Sequence, residues 1–150
     1  FTEYKQQVEN DASQHSSLEK IILIYRFYIK CVLETGLEFI TGLYAANTNQ
    51  AFNFLERDPK NEMVLDRVRE YLIEGKASGE IRSDVDINMA LLRIGVIITG
   101  MIYYWCIFGG RIDLASQTDL MLQDYLITLA ANKNASFELE PISPLEGSLI

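Results

Sequence analysis

Ala90-Leu91-Leu92-Arg93-Ile94-Gly95-Val96-Ile97-Ile98-Thr99-Gly100-Met101-Ile102-Tyr103-Tyr104-Trp105-Cys106-Ile107-Phe108 is the stretch that decides the fold. Wound as a helix, it is apolar on every side from Ile94 to Phe108 apart from Thr99. Such a helix needs neighbours all round. A chain of 150 residues rarely surrounds one completely. The uncharged run from 94 to 110 contains Thr99 and ends in Gly109-Gly110, and it falls short of the roughly 20 apolar residues of a membrane span. It reads as a buried helix in an oligomer core, with no membrane role expected. Gly95, Thr99 and Gly100 are small enough to let a partner helix approach, and Leu122, Leu126 and Leu129 add a second apolar stripe further on. The pattern predicts an isologous homodimer that buries both. A monomeric bundle with this helix at its centre is the competing reading.

The stretches on either side are helical too. Ser16-Ser17-Leu18-Glu19 has capping-box spacing, in which Ser16 and Glu19 satisfy each other's backbone N–H groups. From there Leu18, Ile21, Ile22, Tyr25, Tyr28, Ile29 and Val32 fall on one face, with Glu19, Arg26, Lys30 and Glu34 as a narrow polar stripe. This helix belongs at the centre of the domain. Gly36 marks a break before a shorter helix carrying Leu37, Phe39, Ile40, Leu43 and Tyr44, and Asn47 to Gln50 reads as a loop. Asp58-Pro59 opens a helix with Val64, Leu65, Val68, Tyr71 and Leu72 facing inward, which frays through Gly75 and Gly79. Asp86 caps the long apolar helix, and a last helix is expected to start near Ser116, where Ser116 and Asp119 again have capping-box spacing. Phe1 to Ser13 has the spacing of the end of an amphipathic helix. No alternating run bounded by turn residues predicts a strand. The expected fold is all-α, a multi-helix bundle spanning residues 1–132, with 133–150 as a tail that is ordered only if something docks it.

Composition narrows the function. The net charge of −8 repels phosphate backbones, and no Lys/Arg cluster suits an anionic membrane. Cys31 and Cys106 both lie in apolar stretches and read as buried free thiols of a reducing compartment. With one histidine, His15, and no Cys or His pair at ligand spacing, neither a metal nor another cofactor is expected. There is no Ser/His/Asp set and no glycine-rich phosphate loop, and Asp84 and Asp86 read as helix caps, so an enzyme is not expected.

One segment takes the reading further. Leu72-Ile73-Glu74-Gly75-Lys76-Ala77-Ser78-Gly79-Glu80-Ile81-Arg82-Ser83-Asp84-Val85-Asp86 resembles a recurring join in the C-terminal domains of TetR-family transcriptional regulators. There a helix ends in a Gly-Glu-Ile-Arg turn before the first dimerisation helix. The continuation through Gly109-Gly110-Arg111-Ile112-Asp113-Leu114 is similar as well, and the resemblance runs from about Leu18 to Ala131. It implies that the last two long helices form a four-helix-bundle dimer interface. It also implies a cytoplasmic repressor whose small hydrophobic effector releases DNA. The family's N-terminal helix-turn-helix is missing from this sequence, so DNA would be reached only through that absent domain.

Aromatic residues supply the expected effector site, because apolar walls with a few hydroxyl handles are what small-molecule pockets offer. By the resemblance, Tyr28, Phe39, Tyr44, Tyr71 and Tyr103 line it, with Trp105 beside them. Arg93, the sole charge between Asp86 and Arg111, is either half of a salt bridge at the end of the bundle or an anchor for an effector carboxylate. The alternative function is a helical dimerisation or adaptor module with no small-molecule ligand.

Overall fold

The capping box at Ser16 is present in full: Ser16 Oγ accepts from the Glu19 N–H at 3.2 Å, and Glu19 Oε1 accepts from the Ser16 N–H at 3.0 Å. It starts helix α1, Ser17–Thr35. The computed structural model describes residues 14–46 and 59–150, and the expected helix end at 1–13, the 47–50 loop and the Asp58 cap lie outside them. Gly36, at φ 100°, breaks the chain before α2, Leu37–Ala46. Then follow α3 (Pro59–Ser78), α4 (Ile87–Ile107) and α5 (Leu114–Ile127). No strand occurs among the described residues; a single antiparallel bridge joins Ile81 to Ala130. The fold is all-α, a multi-helix bundle.

Helix α1 is central, packing against α2, α3 and α5, while α4 packs against α2, α3 and α5. The core draws Leu18, Ile21, Ile22, Tyr25, Ile29 and Val32 from α1, Val68, Tyr71 and Leu72 from α3, and Ile94, Ile98, Ile102 and Trp105 from α4. These are the inward faces that the 3.6-residue period predicts.

Four details differ from the sequence reading. Helix α3 runs straight through Gly75 to Ser78 and stops at Gly79, φ 84°. Gly75 is there for closeness: an added Cβ would lie 2.7 Å from Ile81 Cδ1. Helix α5 starts at Leu114, two residues before Ser116, and its cap is Asp113, whose carboxylate accepts from the Ser116 N–H at 3.2 Å. Cys31 is exposed and Cys106 half-buried, rather than both buried. Finally, Glu19 and Arg26 of the narrow polar stripe are largely covered, because the chain crosses back over them at Glu138 and Glu140.

Candidate functional site

Helix α4 is apolar all round, yet the described residues cover only one side of it. Ala90, Ile94, Ile98, Ile102 and Trp105 are buried, while Met89, Leu92, Val96, Tyr103 and Ile107 on the opposite side are exposed, Val96 to 64%. The exposed residues follow steps of three, four, seven and four, one stripe down the helix. At 1.5 Å per residue it is roughly 27 Å long. Thr99 and Gly100 fill the gap in the seven-residue step, and an added Cβ at Gly95 or Gly100 would meet nothing within 4 Å. Neither glycine is required by packing among the described residues. By length and composition this 21-residue helix is also capable of crossing a membrane.

The stripe expected on the last helix lies elsewhere. Leu122, Leu126 and Leu129 are buried in the chain's own core, where α5 meets α1 and α4. The large apolar residues that α5 leaves to solvent are Leu120 and Met121.

The expected pocket residues fall into separate groups. Tyr44 of α2 and Tyr103 of α4 meet edge to face, with ring centroids 5.2 Å apart. Trp105 is buried close to the end of α4, with its indole Nε1 3.7 Å from where a Cβ on Gly110 would sit. Phe39 is about half exposed on α2. Tyr28 is half-buried on α1 and packs edge to face on Tyr25. Tyr71 is buried in the core on α3, with the Lys20 ammonium and the Arg67 guanidinium 5.6 and 5.8 Å from its ring. Arg93 is exposed and makes no ion pair among the described residues, so the expected salt bridge at the bundle end is not formed there. Tyr44 and Tyr103 are thus the pair that the fold brings into direct contact.

A second polar-and-apolar constellation was not visible in the sequence. Arg26 and Asp119 form a two-pronged ion pair, Nε–Oδ1 2.6 Å and Nη2–Oδ2 2.9 Å. Gln123 Nε2 donates to Asp119 Oδ2 at 2.7 Å. Both charges are largely buried, with side chains 19% and 7% exposed. Beside them lies a cavity of about 20 Å³ lined by Ile22, Tyr25, Ile29, Thr118, Leu122 and Ile142. That is room for about one water molecule. The Thr118 hydroxyl is buried and has no hydrogen-bond partner among the described residues. No sequence spacing reports an ion pair between residues 93 positions apart.

No protein-family model, curated protein or solved structure matches this chain.

Among the described residues, burial perturbs one titratable group. The Cys106 thiol has its pKa raised by desolvation, opposed by a hydrogen bond from Thr41. A thiol held protonated is a poor nucleophile. Among the described residues no group of His, Cys, Asp and Glu is arranged to hold a metal ion.

Proposed function

We propose that this chain is the effector-binding and dimerising part of a TetR-type transcriptional repressor, in which α4 and α5 pair with their two-fold mates. The observation that carries this reading is the uncovered stripe Met89, Leu92, Val96, Tyr103 and Ile107. Contiguous exposed apolar surface on a folded domain marks an interaction site. A two-fold axis lying on α4 would bury the stripe against its own copy, and Gly95 and Gly100 have the open space for a close approach. The Gly79-Glu80-Ile81-Arg82 join, which carries the family resemblance, sits immediately before this helix.

In that reading the effector is a small hydrophobic molecule held near the Tyr44–Tyr103 pair, between α2 and the dimerisation helix. Its binding favours one dimer geometry over another. The change alters the spacing of the helix-turn-helix units that hold operator DNA, and so the affinity for a palindrome. The acidic domain itself makes no DNA contact.

A second reading, a dimerisation or adaptor module without a small ligand, is favoured by the cavity between α1 and α5, which has the volume of a single water. One experiment addresses both. Light scattering in detergent-free buffer is run on the chain and on Val96→Glu, with a thermal-shift screen of hydrophobic compounds alongside. A dimer that Val96→Glu converts to a folded monomer, together with selective hits, is the expected result. A dimer without hits selects the adaptor reading. A monomer throughout removes the dimerisation proposal, and a chain that stays soluble only in detergent returns α4 to the membrane.

A further inference from the structure

Residues 137–142 cross α1 and α5 with their side chains sorted. Phe137 and Leu139 pack on the core, Glu138 and Glu140 face solvent, and Ile142 lines the cavity beside Thr118. Two polar anchors hold the main chain of this segment. Glu19 Oε2 accepts from the Glu138 N–H at 2.8 Å, and Arg26 Nη1 donates to the Glu140 carbonyl at 2.8 Å. Neither contact involves a side chain of the segment, so both are available to any peptide laid in the same place.

Both anchors are fixed by the helices themselves. Asp119 holds the Arg26 guanidinium through both carboxylate oxygens along one edge and is held in turn by Gln123. Glu19 is fixed through its capping-box bond to the Ser16 N–H at 3.0 Å. Preorganised groups of this kind lower the cost of binding. The fit beneath the segment is incomplete, leaving the cavity of about 20 Å³ and the unpartnered Thr118 hydroxyl next to Ile142. A larger side chain, or one bearing a hydroxyl, in the Ile142 position would fill that space better than the chain's own residue.

We propose that the groove between α1 and α5 is a binding site for an unfolded peptide segment with apolar residues at its first, third and sixth positions. The chain occupies this site with its own residues 137–142. The site goes beyond the proposed sensor function, since it uses neither the α4 stripe nor the Tyr44–Tyr103 pair. A tethered occupant competes at an effective concentration on the order of millimolar. A partner peptide therefore gains access when the tail lets go or when it fits the cavity better.

The test uses the full chain and a fluorescein-labelled peptide with the sequence of residues 136–145, read by anisotropy. Ile142→Asp weakens the tethered tail, so the labelled peptide should bind this variant roughly tenfold or more tighter than the unaltered chain. Adding Arg26→Ala should weaken that binding by roughly tenfold, the loss of a charge-assisted hydrogen bond. Absence of binding to an Ile142→Asp chain that retains its helical signal and cooperative melt overturns the proposal. So does binding that ignores Arg26→Ala. If Ile142→Asp does not fold, a protease site placed at the exposed Lys133-Asn134 turn allows the tail to be cut after folding. The cut chain should then exchange its tail for the labelled peptide, and no exchange after a day at 37 °C overturns the site.

Discussion

The carboxylate of Glu80 caps a helix that begins 63 residues earlier: Glu80 Oε2 accepts from the Ser17 N–H at 2.9 Å. Its other oxygen takes the Leu18 N–H at 3.1 Å. The turn itself is pinned by Arg82 N–H to the Leu129 carbonyl and Ala131 N–H to the Glu80 carbonyl, at 2.9 and 2.8 Å. One short connection thus ties together the start of α1, the end of α3 and the end of α5. Helix N-termini favour a negative charge. Glu80→Ala removes both acceptors, and the expected loss is about 1 kcal/mol, in the range of other N-caps. Urea unfolding should show the midpoint falling at unchanged slope. An unaltered midpoint would mean that Ser16 and solvent satisfy those donors without Glu80.

Gly75 tests the same corner by volume instead of charge. A methyl group there would lie 2.7 Å from Ile81 Cδ1 and 3.2 Å from Ser17 Cβ. Ala is the better helix former by roughly 0.5–1 kcal/mol, but overpacking a tight site costs about 1–3 kcal/mol. We therefore expect Gly75→Ala to lower the melting temperature, and the double variant with Ile81→Val to recover part of the loss. A melting temperature that rises on Gly75→Ala alone would show that the corner can open.

The start of α1 is legible because both halves of the capping box, Ser16 and Glu19, are three residues apart and bond to one another. Asp86 is legible as the cap of α4 because an aspartate just ahead of an apolar helix can accept from the N–H three residues on, and its carboxylate does so from Met89. Ser116 and Asp119 have the same spacing, yet Asp119 belongs to Arg26 and the cap is Asp113. Local spacing cannot say which of two acidic residues has a distant partner. Likewise Glu19 and Arg26 read as part of a polar stripe, and nothing local shows that the chain crosses back over them at Glu138 and Glu140.

The candidate site shows the same division. The apolar circumference of α4 is plain in the sequence, but the side left uncovered is decided by α2, α3 and α5. Leu122 and Leu126 share a face of α5 and Leu129 follows just past its end, and their period does not distinguish a partner's core from the chain's own. The tail was illegible for a simpler reason. Its alternation spans only Phe137 to Glu140 before Pro141 interrupts it, too short for a strand pattern to register.

The two thiols should separate in reactivity. Burial raises the Cys106 pKa above its ordinary value of 9.0, so at neutral pH less of it is thiolate, the form that alkylates. Cys31 is exposed. Iodoacetamide at pH 7.5 should label Cys31 first, with peptide mass spectrometry reading the order, and Cys106 should follow only at alkaline pH or on unfolding. The sign for stability runs the same way. A folded pKa raised above the unfolded one means the folded chain holds the proton more tightly. That contribution is complete below about pH 9 and is lost as the pH rises through the folded value. Preferential labelling of Cys106 in the folded chain would contradict the assigned burial.

Gly100 separates what α4 needs alone from what it needs in a pair. It lies within the helix, half-buried, and an added Cβ would meet no atom within 4 Å. Inside one chain, Gly100→Ala should therefore gain helix propensity, raising stability by roughly 0.5–1 kcal/mol. Across a two-fold axis the same methyl group stands between two helices that approach through their small residues, and it should push them apart. The expected result has opposite signs in two measurements. The melting temperature rises under dilution to monomer, while the dimer dissociation constant from sedimentation increases. If both improve, the helices do not meet at Gly100, and the contact is carried by Leu92, Val96 and Tyr103 alone. If the melting temperature of the monomer falls, the space beside Gly100 is already occupied within the chain.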